Sequence, residues 1–138
     1  MNKHERMAEF AQQFEGQGVD PRYAGYFALF NRQQFYEAHD VLEDLWLADR
    51  RGPDGDFYKG LIQLAGAYVH LQKNRLRPSA ALFKLAGGNL NKFSGSHRQL
   101  DLVQVLRLIE SWLQALATSD FKRNPLEFMS PPVVKLED

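Results

Sequence analysis

His39 and Glu43 stand four residues apart within an apolar pattern, so one helical turn sets an imidazole above a carboxylate on one face. Trp46 extends that face by almost another turn. In the next apolar stretch Lys59, Gln63, His70 and Asn74 share a face, with Gln63 and His70 two turns apart. Gly60, Gly66 and Ala67 lie among them, and residues this small let a neighbouring helix approach while leaving room beside polar groups. If the two faces meet, His39, Glu43, Gln63 and His70 converge in apolar surroundings, where an unpaired polar group costs about 1–3 kcal/mol.

Three kinds of chemistry would satisfy such a cluster. A closed hydrogen-bond network would have Glu43 accept from an imidazole while Gln63 bridges what remains. Alternatively His39, His70 and Glu43 supply two imidazoles and a carboxylate, a ligand set suited to zinc, manganese or iron. Water on such a metal is a nucleophile for hydrolysis. In the third arrangement the same groups face a small-molecule or peptide ligand. Glu37 and Asp40 are spare carboxylates that helix geometry turns away from His39 and Glu43. The spacing is neither H-E-x-x-H nor the Glu-x-x-His of di-iron bundles.

Helices must position these groups, because the periodicity is helical and no strand-like alternation is evident. Residues 4–14 predict a short amphipathic helix. Asp20-Pro21 starts a second that ends near Asn31, since Asp caps free amides and Pro suits the first turn. A link at 32–34 leads to a helix over 35–48, and the turn-rich 49–56 segment predicts an exposed loop. Residues 57–74 form the most buried helix, because apolar residues nearly encircle it. Arg77-Pro78-Ser79 opens a helix to about 93, residues 94–98 form a loop, and 101–117 is a final amphipathic helix. Residues 118–138, with three prolines, predict an extended tail. The expected fold is all-α: one domain over 1–138, a bundle of five to six helices in antiparallel hairpins. Phe27, Phe30, Phe35 and Trp112 belong to its core, whereas Tyr36 and Tyr58 are expected partly exposed near the cluster. His4 is expected in a disordered terminus, and Ser94, Ser96 and His97 on a solvated loop.

The composition excludes several function classes. With 138 residues, 17 basic and 17 acidic side chains and no cysteine, the chain has no disulfide, thiolate ligand or cysteine nucleophile. Its neutral balance gives no field to recommend nucleic acid. No apolar run is long enough to span a bilayer, and the first residues lack a signal-peptide core, so the cytoplasm is the expected compartment. Neutrality hides a division, because residues 57–100 hold seven bases and no acid, whereas 1–56 hold eleven acids and six bases. The basic 73–98 region offers a surface for an acidic partner. No Walker loop, dinucleotide fingerprint or nucleophile elbow is present.

Phe30-Asn31, the run Phe35-Tyr36-Glu37-Ala38-His39-Asp40-Val41-Leu42-Glu43-Asp44-Leu45-Trp46, and Gly60-Leu61-Ile62-Gln63-Leu64-Ala65 with His70 resemble domain-of-unknown-function family 309. The resemblance covers about 26–90. It implies an all-helical fold and carries over Glu37, His39, Glu43, Trp46, Gln63 and His70 as motif positions, with Asn74 a looser match. The family is often labelled a predicted metal-dependent hydrolase, which implies a divalent metal. Where the family usually has Gly-Asn and then Gly-Ala before the next helix, this chain has Lys73-Asn74 and Ser79-Ala80. The sequence therefore predicts an uncharacterised helical protein whose His/Glu/Gln cluster is a structural network or a small-ligand pocket. The alternatives are a metal-dependent hydrolase using His39, Glu43 and His70, and an interaction module acting through 73–98. A small-molecule ligand and self-association are the partners left open.

Overall fold

Asp20 starts its helix as expected, accepting the Arg22 amide at 2.9 Å while Pro21 fills the first turn. The computed structural model describes residues Met1–Asp138 and contains six α-helices. These are α1 (Lys3–Ala11), α2 (Pro21–Asn31), α3 (Phe35–Asp49), α4 (Gly55–Gln72), α5 (Leu76–Leu90) and α6 (Leu102–Thr118). The all-α architecture is thus as the periodicity predicts. Short connections at 50–54 and 73–75 fold α3, α4 and α5 back on one another.

Helix α4 is the centre of the bundle, packed along both α3 and α5. Its Tyr68 ring stands 4.9 Å from Phe35, 5.5 Å from Phe30, 5.1 Å from Phe83 and 5.0 Å from Trp112. Four helices therefore contribute rings around one side chain, in the offset and edge-on geometries that aromatic quadrupoles favour. Phe27, Phe30, Phe35 and Trp112 are all buried. Gly60 brings α5 close: a Cβ there would lie 2.9 Å from Leu90 Cγ. At the end of α4, Asn74 takes the left-handed backbone conformation, with φ 56°, and the Arg75 amide closes the turn on the His70 carbonyl at 2.8 Å. Asn tolerates that conformation better than other side-chain-bearing residues, so the corner needs no glycine at position 73.

The structure corrects several expectations. Helix α1 is ordered by an Asn2–Glu5 capping box, and His4 pairs with the buried Asp44 at 2.5 Å instead of sitting in a loose terminus. The 49–56 segment is not wholly exposed, since Asp54 and Gly55 are buried. Residues 94–101 hold a two-stranded antiparallel hairpin, β1 (Ser96–His97) with β2 (Leu100–Asp101). The tail is tied down: Asn124 Nδ2 donates to the Leu71 carbonyl at 2.6 Å, and Val134 is buried. It also contains a 3-10 turn, Pro125–Glu127.

Candidate functional site

A pocket of about 270 Å³ opens along the outer face of α4 between α3 and α5. Its apolar walls are Ile62, Val69 and Leu82, and its polar groups are Tyr36, His39, Gln63, His70 and Lys73. Gly66 forms part of the lining, where a Cβ would stand 3.2 Å from Leu82 Cδ1. Glycine at this position thus sets the width of the groove. The mixture of apolar walls with a few polar groups is that of a small-molecule site, at the small end of the usual size range.

The α3 and α4 faces do bring His39, Gln63 and His70 to one cavity. The Tyr36 ring stacks beside His39, with centroids 6.2 Å apart and planes 25° from parallel. His70 has a buried Nδ1 without a hydrogen-bond partner. Burial, helped by the positive charges of Arg75 and Lys73, holds its pKa below the usual histidine value. The neutral ring therefore dominates at neutral pH. Gln63 Oε1 accepts from Asn89 Nδ2 at 2.8 Å, which fixes the amide against α5.

The other residues singled out by sequence lie outside the pocket lining. Glu43 Oε2 is 3.7 Å from His39 Nε2, beyond hydrogen-bonding distance, and Glu43 Oε1 is 3.3 Å from Lys3 Nζ. Asp40 is not turned away: its Oδ1 lies 3.1 Å from His39 Nδ1 and 3.4 Å from Lys3 Nζ. Adjacent helical residues diverge at Cβ, but these short side chains bend back towards each other. Glu37 is exposed, and Trp46 lies under the Lys59 ammonium, 5.7 Å from the ring centroid. Asn74 faces the tail, its Oδ1 3.4 Å from Asn124 Nδ2. Tyr58 is buried, contrary to expectation, and borders a different cavity. Leu82 and Asn89 were not singled out in the sequence, because their part depends on how α5 lies against α4.

A resident metal does not fit this arrangement. No group of three or more His, Asp or Glu side chains stands where it could hold an ion. The acidic edge beside His39 already has the Lys3 ammonium as its cation. The closed network among Glu43, the imidazoles and Gln63 does not form either, since Gln63 and Glu43 have other partners. The basic 73–98 region is partly committed within the chain. Arg77 lies 4.6 Å above the Phe121 ring, Lys92 pairs with Asp56 at 2.8 Å, and Arg98 pairs with Asp54 at 2.5 Å. His97, expected on a solvated loop, packs against Phe57 and Phe93 and meets Asp54 at 2.6 Å.

Fold and site together define a small helical bundle protein with a polar-lined groove at its central helix. The family described as Domain of unknown function (DUF309) matches residues 23–82, from the first turn of α2 into the middle of α5, so that segment is similar to it. All of the α3 and α4 residues that line the groove fall within the match. No curated protein and no solved structure matches the chain. No helix is long and apolar enough to cross a membrane.

Proposed function

We propose that the groove over α4 binds a small organic molecule with a flat apolar body and at least one polar group. The observation that carries this reading is the His70 imidazole, which lines an open cavity and keeps its buried Nδ1 without a partner in the chain. Burying a polar nitrogen without a partner costs stability, and a ligand that orients against the ring offsets part of that cost. Ile62, Val69 and Leu82 supply the apolar walls, while Gln63, His39 and Lys73 supply direction. The volume suits a compact molecule of roughly single-ring to double-ring size.

A library of small aromatic compounds, followed through the imidazole proton signals of His39 and His70, tests the proposal. Expected hits shift both imidazoles and lose affinity in His70→Ala protein. Failure of every compound to perturb either ring would overturn it. So would stoichiometric zinc, manganese or iron in tag-free protein that disappears in the His39→Ala/His70→Ala variant. That outcome would favour the metal-dependent hydrolysis implied by the family resemblance.

A further inference from the structure

The tip of the β1–β2 hairpin carries an unusual turn. Its two central residues, Arg98 and Gln99, both have left-handed backbones, with φ of 47° and 63°. Two-residue hairpin turns of this kind normally use Asn-Gly or Gly-containing pairs, because a Cβ is strained there. Tertiary contacts hold the strained form: Tyr23 Oη donates to the Arg98 carbonyl at 2.9 Å, and the Glu137 amide donates to the Gln99 carbonyl at 2.7 Å. Glycine would fit the backbone at position 98 more easily, so what remains to be explained is the arginine side chain.

That side chain is poised rather than spent. Its Nε donates to Asp54 Oδ2 at 2.5 Å, and its guanidinium carbon lies 5.8 Å from the Tyr58 ring centroid. Neither terminal nitrogen of the guanidinium has a partner in the chain, which leaves a planar fork of N–H donors suited to a carboxylate. Arg98 lines a cavity of about 500 Å³ whose lining also includes Asp20, Tyr23, Tyr58 and Val19. Asp20 accepts three hydrogen bonds from Arg22, two on Oδ1 and one on Oδ2, so its four lone-pair positions are not all used.

We propose that this cavity receives a free α-amino acid with an apolar side chain. Arg98 takes its carboxylate, Asp20 takes its ammonium group, and Tyr23, Tyr58 and Val19 pack against its side chain. Charge balance selects this class. Asp20 is paired with Arg22 and Asp54 with Arg98, so the walls carry separated charges without a strong net sign. A dianion would meet Asp20 and a simple cation would meet Arg98, whereas a zwitterion satisfies both. The cavity shares no lining residue with the groove over α4, so this inference does not depend on the function proposed for that groove.

An NMR titration of the full chain with L-phenylalanine tests the assignment. Saturable shifts are expected at the amides of Asp20, Arg98 and Gln99, with N-acetyl-L-phenylalanine and L-phenylalaninamide each about tenfold weaker or worse. Arg98→Gly relieves the backbone strain and removes the fork, so it should abolish binding while the hairpin cross-peaks persist. Arg98→Lys keeps the charge without the fork and should also weaken binding, which covers the case in which the glycine variant loosens the hairpin. The proposal is overturned if neither L-phenylalanine nor L-leucine saturates. Equal affinity for the N-acetyl compound, or binding indifferent to both substitutions, would overturn it as well.

Discussion

Asn31 holds Val134 by both of its backbone groups: Nδ2 donates to the Val134 carbonyl and Oδ1 accepts from the Val134 amide, each at 2.8 Å. One side-chain amide thereby does for the tail what a neighbouring strand would do. Val134 is 6% exposed, so its two backbone groups lie where water cannot readily replace Asn31. Asn31→Ala should lower stability by about 1–3 kcal/mol and should release the tail to rapid amide exchange at Val134. Urea denaturation with exchange measurements checks both effects, and a protected Val134 amide in the variant would refute the clamp.

The two glycines of α4 that face α5 should respond differently to alanine. At Gly60 the new Cβ would meet Leu90 at 2.9 and 3.0 Å and Asn89 Cβ at 3.2 Å, so α5 must move. Gly60→Ala should cost about 1–3 kcal/mol. At Gly66 the single close contact is the end of the Leu82 side chain, at 3.2 Å, and the gain in helix propensity offsets it. Gly66→Ala should leave the melting temperature nearly unchanged while narrowing the groove, so ligands of that groove weaken without a loss of fold.

Asp54 links stability to acid. Burial pushes its carboxyl upward, but the hydrogen bonds from His97 and Arg98 outweigh that and hold it below its usual value. A carboxylate depressed in the folded state stabilises fully above its unfolded pKa, and that stabilisation disappears as pH falls from about 4 through the folded value. Asp54→Asn should therefore cost about 2 kcal/mol near neutrality and flatten the acid limb of the stability profile. An unchanged slope below pH of about 4 would contradict the assignment.

His70 costs stability in the same direction of pH but at higher pH, because here the fold favours the neutral form. Its folded pKa lies below that of the unfolded chain through burial and the nearby Arg75 and Lys73 charges. Between about pH 6.5 and the folded value the unfolded state binds more protons, so stability falls as pH drops through that window. His70→Ala removes the penalty. Thermal melts at about pH 8 and about pH 5.5 should show the variant gaining on the parent in acid. At the higher pH the two should lie within about 1 kcal/mol, since Nδ1 forms no hydrogen bond to lose.

Local interactions made much of this protein legible from its sequence. Asp20-Pro21 marks the start of α2 because capping involves only neighbouring residues. The nearly continuous apolarity of α4 places that helix at the centre of the bundle, and the same periodicity carries Gln63 and His70 to one face. What the sequence could not disclose are pairings across elements. Asp54 meets His97 over a separation of 43 residues, His4 meets Asp44 over 40, and Asn31 meets Val134 over 103. Even Gln63 turns to Asn89 on α5 in preference to the His70 imidazole that shares its face.

The hairpin shows the reason most directly. Arg98-Gln99 carries no local turn signal, and its backbone is held by Tyr23 and Glu137 from far along the chain. Periodicity and caps fix which residues form each helix and which side faces inward, because those energies arise within a turn or two. The rotation and approach of packed helices follow from the burial of the whole core, and only they decide which polar groups come within reach.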